Sequence, residues 1–220
     1  MMHKSVVLLL FCLAFILWSP QPGSPSGILL DDYKSGLSPK WEEKSFKGKT
    51  FYQVTKHENQ WCIKATSHSS ASALLYKINY DPRDLPILTW RWKVDHVLSK
   101  GNALIKEGDD YAARVYIVFP SSFFWNTTAL SYIWANKLPQ GKGLPNPFNS
   151  NSKMIAVETG SARTGRWVVE KRNVLEDYRR VFGLDPPKAG AIAIMTDTDN
   201  TGEEAVAYYG PIRILPDSER

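Results

Sequence analysis

Charged and aromatic side chains alternate along the segment 88–95, and this alternation is the first sign of binding chemistry in the sequence. Successive side chains of an extended strand point to opposite faces. One face then carries Leu88, Trp90, Trp92 and Val94, and the other carries Thr89, Arg91, Lys93 and Asp95. Tryptophans on a strand can stack against a sugar ring, but large aromatics beside aliphatic residues more often fill a core. We therefore expect the tryptophans to be buried and the charged residues to face solvent or a ligand groove.

Two further charged residues, Asp110 and Arg114, lie in a segment that is otherwise apolar on both faces, as is typical of a central strand. Four residues of strand separate the two by roughly 13 Å, so they share a face but cannot pair directly. Arg114 needs a carboxylate partner on a neighbouring strand, because burying an unpaired ion costs several kcal/mol. The planar guanidinium group also suits the carboxylates of acidic sugars.

These two segments together predict a ligand site. If the segment 109–119 lies beside the segment 88–95, then one polar patch contains Arg91, Lys93, Asp110 and Arg114. We predict that Arg91, Asp110 and Arg114 form one buried or half-buried cluster, and that the site for a glycan or another polar ligand includes it. The alternative is a compensated charge network that only ties two strands together.

Oxygen ligands recur at alternate positions in the segment 196–204, followed by a glycine and two glutamates. Calcium needs about six to eight oxygens around a tight turn, and Asp197 and Asp199 are the predicted metal ligands. The full EF-hand pattern is absent, so an acidic hairpin loop without a metal is the favoured interpretation. A third interpretation pairs this loop with Asp31 and Asp32. Apart from a structural calcium at this loop, no cofactor is predicted.

Catalytic motifs are absent from the sequence. Beyond residue 26, no zinc-type His-Glu-x-x-His motif is formed by His57, His68 or His96. There is no Gly-x-Ser-x-Gly nucleophile elbow and no phosphate-binding glycine loop. We predict no catalytic residues. Paired carboxylates for glycoside hydrolysis stay an alternative, since their separation is a spatial property, and the candidates are Asp110, Glu158 and Asp197.

Strands are the main elements that would position these residues. Runs rich in Val, Ile, Tyr, Trp and Thr recur roughly every ten residues between turn-forming residues. The predicted strands are 28–33, 41–46, 51–56, 61–67, 71–78, 87–95, 111–119, 129–134, 153–159, 167–171, 191–196 and 205–214. So many strands exceed one open antiparallel sheet, and they predict an all-β, two-sheet sandwich.

One helix is predicted, between Asn173 and Gly183. Asn173 and Glu176 resemble a capping box, an apolar stripe of helical spacing follows, and Gly183 ends the helix. A doubly wound α/β fold needs several such helices and is excluded. Two long loops, 97–108 and 136–152, are candidate binding rims, because loops of this length are often functional.

The first 26 residues resemble a secretory signal peptide, with a short basic start, an uncharged apolar run over 6–18 and a turn-forming stretch. The run is shorter than the ~20 residues of a spanning helix, although an uncleaved anchor is the alternative. We expect a periplasmic or otherwise exported protein with a single domain over 27–220, no membrane span and no internal disulfide, since Cys62 then stands alone. The net charge of +5 is dispersed and does not indicate a nucleic-acid partner.

The segments 90–94, 109–116, 132–134 and 196–201 together resemble the bacterial exported family called domain of unknown function 3047. That name implies no activity.

The segments 29–33 and 207–214, with Trp41, are similar to the first and last strands of galactose-binding-like jelly rolls. This similarity implies a jelly-roll sandwich, the fold of many carbohydrate-binding modules, often with a structural calcium near those strands. Gly210 and Pro211 depart from the acidic residue often found there.

The sequence thus predicts an exported, non-catalytic β-sandwich protein of the cell envelope that binds a glycan or another polar ligand. The main alternative is a carboxylate-dependent enzyme that acts on envelope polysaccharide. The third class is a structural partner in an envelope assembly, which would dock through the aromatic stretch 123–125.

Overall fold

The computed structural model describes residues 26–219. The predicted signal peptide therefore lies outside the described residues, apart from its last residue, Ser26. Within the described part of the chain, no helix is long and apolar enough to cross a membrane.

Fourteen strands and one α-helix form the described part of the chain. The strands are β1 (Ile28–Leu29), β2 (Trp41–Lys47), β3 (Phe51–His57), β4 (Gln60–His68), β5 (Ala71–Tyr80), β6 (Ile87–Val94), β7 (Arg114–Phe119), β8 (Thr128–Ala135), β9 (Gly143–Pro145), β10 (Ser152–Thr159), β11 (Val168–Asn173), β12 (Ala189–Asp197), β13 (Glu204–Tyr209) and β14 (Arg213–Leu215). The α-helix, α1, spans Val174–Phe182. Short 3-10 helices span Lys106–Gly108, Phe124–Asn126 and Asp217–Glu219.

The strands pair into two sheets of seven strands each. The first sheet has the order β1-β14-β6-β13-β4-β3, and β11 also pairs with β6. The second sheet has the order β2-β5-β12-β7-β8-β10-β9, in which β8 and β10 are parallel. The predicted all-β sandwich of two sheets with one short helix is confirmed.

The core lies between the two sheets and is rich in aromatic rings. Trp90 and Trp92 on β6 are 2% and 0% exposed, as the alternation of the segment predicted. Trp90 stacks on Tyr132 at 5.2 Å between ring centroids, and Trp92 meets Trp134 at 5.8 Å. Because β6 and β8 belong to different sheets, these contacts hold the sheets together.

Strand β7 is the fourth of the seven strands in the second sheet, which confirms its predicted central position. Val115 and Ile117 point into the core between the sheets. Because side chains alternate along a strand, Arg114 and Tyr116 point to the outer face of the second sheet.

Helix α1 begins and ends where the sequence predicted. Asn173 Oδ1 accepts a hydrogen bond from the backbone N–H of Glu176 at 3.0 Å. Gly183 ends the helix with φ of 75°, a left-handed conformation that glycine adopts without steric cost. Tyr178 packs its ring against Phe119 at 4.7 Å, which fixes the helix to the end of β7.

Several strand boundaries differ from the prediction, and β1 covers only Ile28–Leu29 of the predicted strand 28–33. The predicted strand 205–214 is divided into β13 and β14 at Gly210 and Pro211, because proline has no N–H to donate to a sheet. The predicted strand 111–119 begins only at Arg114, since a turn precedes it in which the Asp110 N–H donates to Gly108 O at 2.8 Å. Strand β9 lies within the predicted loop 136–152 and was not anticipated.

Candidate functional site

Arg114 lies in a buried cluster on the outer face of the second sheet and is only 3% exposed. Its Nε donates to Asp197 Oδ1 at 2.9 Å, and its Nη2 donates to Asp197 Oδ2 and to the Asp109 carbonyl. Its Nη1 donates to the Tyr116 hydroxyl at 3.2 Å and lies 3.6 Å from Asp109 Oδ1. The guanidinium carbon lies 4.2 Å from the centroid of the Tyr111 ring. The predicted carboxylate partner therefore exists, and it is Asp197.

Asp110 does not pair with Arg114, as their separation along the chain predicted. Its carboxylate accepts hydrogen bonds from the backbone N–H groups of Asn200 and Thr201 at 2.9 and 2.6 Å. The Asn200 side chain donates to the same carboxylate at 3.1 Å. Asp110 therefore fixes the acidic loop after β12 to the start of β7.

The two predicted metal ligands converge with Asp110, because one carboxylate oxygen from each of Asp110, Asp197 and Asp199 lies within 4.8 Å of the others. The carboxylate oxygens of Asp110 and Asp197 already accept hydrogen bonds, however. Both oxygens of Asp197 bind Arg114, and N–H groups occupy Asp110. Burial raises the pKa of Asp197, and the positive charge of Arg114 opposes this rise. These residues suit a guanidinium better than a calcium ion that needs about six free oxygens, and the calcium role of Asp197 and Asp199 stays a prediction.

The pairing of the acidic loop with Asp31 and Asp32 is not found. Asp31 accepts hydrogen bonds from the backbone of Tyr33 and Ser38, at 3.0 and 2.9 Å, and from Trp41 Nε1 at 3.1 Å. Asp32 accepts from the backbone of Lys34 at 3.0 Å. Both carboxylates thus organise their own loop.

The predicted polar patch that joins Arg91 and Lys93 to Asp110 and Arg114 is wrong. That prediction depended on β6 and β7 being neighbours, but β6 belongs to the first sheet and β7 to the second. The chain crosses between the sheets in the loop before Arg114. Arg91 and Lys93 therefore face outward on the opposite side of the sandwich.

Arg91 and Lys93 belong to a different group, which we call the cationic face. It lies on the outside of the first sheet and consists of His57, Arg91, Lys93, Trp167, Tyr208 and Arg213. Lys93 Nζ donates to Glu58 Oε1 at 2.7 Å and to His57 Nε2 at 2.8 Å. The ring of His57 stacks on Tyr208 at 4.2 Å, and the guanidinium of Arg91 lies 5.3 Å from the centre of the Trp167 ring.

A depression of about 290 Å³ opens on the cationic face. It is lined by Thr89, Trp90, Arg91, Val169, Pro211 and Arg213. Among the described residues, no carboxylate lies within 4.0 Å of the guanidinium groups of Arg91 and Arg213. The buried Nε of Arg91 and the buried Nε1 of Trp167 have no hydrogen-bond partner. Unpaired buried donors are uncommon and mark a place where a ligand or water can accept.

The sequence did not identify Trp167, Tyr208, His57 or Arg213 as parts of a site. Trp167 and Tyr208 were placed only in predicted strands, although an aromatic residue at the start of a polar strand was an available signal. Trp167 reaches Arg91 because β11 pairs with β6, with Val169 opposite Arg91. Pairing between strands so distant in sequence has no local pattern.

Two further carboxylates are buried in the interior near Trp92. Glu170 Oε1 accepts from Trp92 Nε1 at 3.3 Å, and Glu158 is paired with Arg163. Burial raises the pKa of Glu170 to about 7, and the charge of Glu158 adds to the rise. Glu158, Asp110 and Asp197, the candidates for carboxylate catalysis, are all buried and lie in two separate groups.

The raised pKa of Glu170 predicts a pH-dependent loss of stability. A carboxyl whose pKa is higher in the folded than in the unfolded state stabilises the fold below its unfolded pKa, and this contribution is lost as the pH rises through about 7. We expect the Glu170→Gln variant to gain stability relative to the wild type between pH 4 and pH 8, by up to about 3 kcal/mol. Denaturant unfolding of both proteins across this range measures the difference, and parallel pH profiles would contradict it.

The family described as "Protein of unknown function (DUF3047)" matches residues 39–213, from just before β2 to the first residue of β14. The chain belongs to the DUF3047 family. The resemblance seen in the sequence is therefore confirmed. A search among curated proteins gave no significant match.

Solved structures similar to this DUF3047 chain include β-sandwich carbohydrate-binding modules. The family 30 carbohydrate-binding module of the cellulosomal cellulase Cel9D-Cel44B of Clostridium thermocellum is 9% identical, with a TM-score of 0.51 over 87% of this chain and 98% of that chain. The family 11 carbohydrate-binding module of Lic26A-Cel5E of Clostridium thermocellum is 11% identical, with a TM-score of 0.49 over 87% of this chain and 95% of that chain. The DUF3047 chain thus has the jelly-roll type of β-sandwich that its terminal strands predicted.

Proposed function

We propose that this chain is an exported, non-catalytic protein of the cell envelope that binds a glycan on the cationic face. The observation that carries the proposal is the half-buried ring of Trp167 beside the unpaired guanidinium of Arg91. An aromatic ring offers an apolar surface to the C–H face of a sugar, and N–H donors bind its hydroxyl groups. Both features lie on one outer sheet face.

The scaffold supports this function. The similar C. thermocellum modules are described as carbohydrate-binding, and the family 30 module has the same sandwich architecture at 9% identity. Fold alone does not define a function, so the proposal depends on the side chains of the cationic face.

The proposed export of the protein depends on the signal-peptide pattern of residues 1–26. Amino-terminal sequencing of the chain from a bacterial periplasm tests it, and an uncleaved terminus would contradict it.

The cationic face is preferred to the Arg114 cluster as the ligand site for a physical reason. Arg114 already binds Asp197 and Tyr116, and its guanidinium is buried. A ligand would have to displace these partners and desolvate the remaining charges, which is costly. Arg91 has no carboxylate partner among the described residues, so a ligand on the cationic face need not displace an ion pair.

Binding of residues 27–220 to a glycan array, with the Trp167→Ala variant beside it, tests the proposal. We expect the wild type to bind at least one glycan without releasing products, and the variant to lose about tenfold in affinity because the stacking surface is gone. Trp125→Ala is the matched control, since Trp125 is an exposed tryptophan between β7 and β8 of the other sheet.

Each of the other outcomes identifies a different function class. Release of shortened glycan products would overturn the non-catalytic assignment in favour of an enzyme. Loss of binding in Trp125→Ala but not in Trp167→Ala would move the site to the exposed aromatic stretch around Phe123 and Trp125. The absence of any glycan binding would overturn the proposal and favour a structural partner in an envelope assembly.

A further inference from the structure

The depression on the cationic face contains two arginines on adjacent strands. Arg213 on β14 lies opposite Thr89 on β6, and Arg91 is two residues farther along β6. Arg213 and Arg91 are therefore diagonal neighbours on one sheet face, about 7–8 Å apart and within reach of a common group. Thr89 lines the same depression, and its hydroxyl donates to the Glu170 carbonyl at 2.8 Å.

Within the described part of the chain, neither arginine has a carboxylate partner. Other arginines of the described chain have carboxylate partners, for example Arg83 with Asp81 and Arg179 with Asp185, both at 2.6 Å. Arg91 and Arg213 have none, although they lie side by side. Like charges on adjacent strands repel each other, so an anion between them would remove an unfavourable interaction.

The fold also holds Arg91 in position before any ligand arrives. The Arg91 guanidinium lies over the ring of Trp167 at 5.3 Å. Its stem passes directly over Gly210, where an added Cβ would lie only 2.5 Å from Arg91 Cγ and Nε. Gly210 thus leaves the space that the arginine stem occupies, and such preorganisation lowers the entropy cost of binding.

We infer that Arg91 and Arg213 bind the carboxylate of a uronic acid within the glycan, an inference that rests on the proposed function. A guanidinium presents two parallel N–H donors that match a carboxylate. The depression of about 290 Å³ accommodates a single sugar residue, and the side chains of Val169 and Pro211 form its apolar wall. The neighbouring sugars then extend toward Trp167.

The inference is tested by isothermal titration with polygalacturonate and with the same polymer after its carboxyl groups have been reduced to alcohols. We expect the acidic polymer to bind at least tenfold more tightly than the reduced polymer, and tenfold salt dilution to widen this ratio. Arg91→Gln and Arg213→Gln should each weaken binding of the acidic polymer about tenfold and leave binding of the reduced polymer unchanged. Arg179→Gln, which removes the same charge from the surface of α1, is the control and should have no effect.

The Gly210→Ala variant tests whether the position of the Arg91 side chain matters for binding when its charge is unchanged. The new methyl group displaces the Arg91 stem while both arginines and the net charge are kept. We expect this variant to bind the acidic polymer about as weakly as Arg91→Gln does. Arg91→Gln and Arg213→Gln should keep the wild-type melting temperature, because neither loses an ion-pair partner among the described residues, and a large fall for Arg91→Gln would show a structural role and overturn the inference.

Failure of this inference can be distinguished from failure of the proposed function. If neutral glycans bind in a manner that depends on Trp167 and the acidic polymer is not preferred, the uronic acid subsite is wrong and the glycan-binding function stands. Preference for a sulfated polymer such as heparin over polygalacturonate would also overturn the carboxylate assignment. If neither acidic nor neutral glycans bind, both the inference and the proposed function are wrong.

Discussion

The Arg114→Leu variant is expected to lose about 3–5 kcal/mol of unfolding free energy at pH 7. The substitution leaves Asp197, which is 2% exposed, as a buried carboxylate without a cation. It also removes the donors to the Tyr116 hydroxyl and the Asp109 carbonyl. Equilibrium denaturation in urea measures the loss.

Two controls define the cause of this loss. Arg179→Leu breaks an exposed pair with Asp185 and should cost about 1 kcal/mol or less. The double variant Arg114→Leu/Asp197→Leu should be more stable than Arg114→Leu alone, because it leaves one buried carboxylate without a cation, that of Asp109, instead of two. A loss for Arg114→Leu no larger than that for Arg179→Leu would contradict the burial of this ion pair.

Most of the fold could be predicted because local patterns determine it. The strict alternation of the segment 88–95 placed Trp90 and Trp92 in the core, and the structure buries both. The cap at Asn173 and the stop at Gly183 fixed the helix, since both are short-range interactions. The strand division at Pro211 was missed, although the missing N–H of proline was a readable signal.

The candidate site could be predicted only in part, because it depends on which strands become neighbours. Arg114 and Asp197 were each identified as functional candidates, but they are 83 residues apart and nothing local shows that they pair. Consecutive strands such as β6 and β7 are adjacent in many sheets, yet here the chain crosses to the other sheet between them. The predicted patch was therefore divided into a buried cluster and an outward cationic face. Arg114 has its partners in the buried cluster, whereas Arg91 has no carboxylate partner among the described residues and belongs to the proposed ligand site.

The Trp90→Ala variant is expected to lose about 3–5 kcal/mol of unfolding free energy, because it opens a cavity between the two sheets. Trp90 stacks on Tyr132 at 5.2 Å and meets Trp92 edge to face at 5.4 Å. Both contacts disappear together, and the substitution affects the interface that joins the sheets. Thermal and denaturant unfolding measure the loss.

Trp90→Phe distinguishes the cavity from the indole nitrogen. The buried Nε1 of Trp90 has no hydrogen-bond partner, so phenylalanine removes an unsatisfied donor while it keeps an aromatic ring against Tyr132. We expect this variant to lose less than about 1.5 kcal/mol, since the core volume is largely retained. Trp125→Ala, at an exposed site where the ring stacks against Phe123, should lose about 1 kcal/mol or less. Equal losses for Trp90→Ala and Trp125→Ala would contradict a core that is held together by aromatic contacts between the sheets.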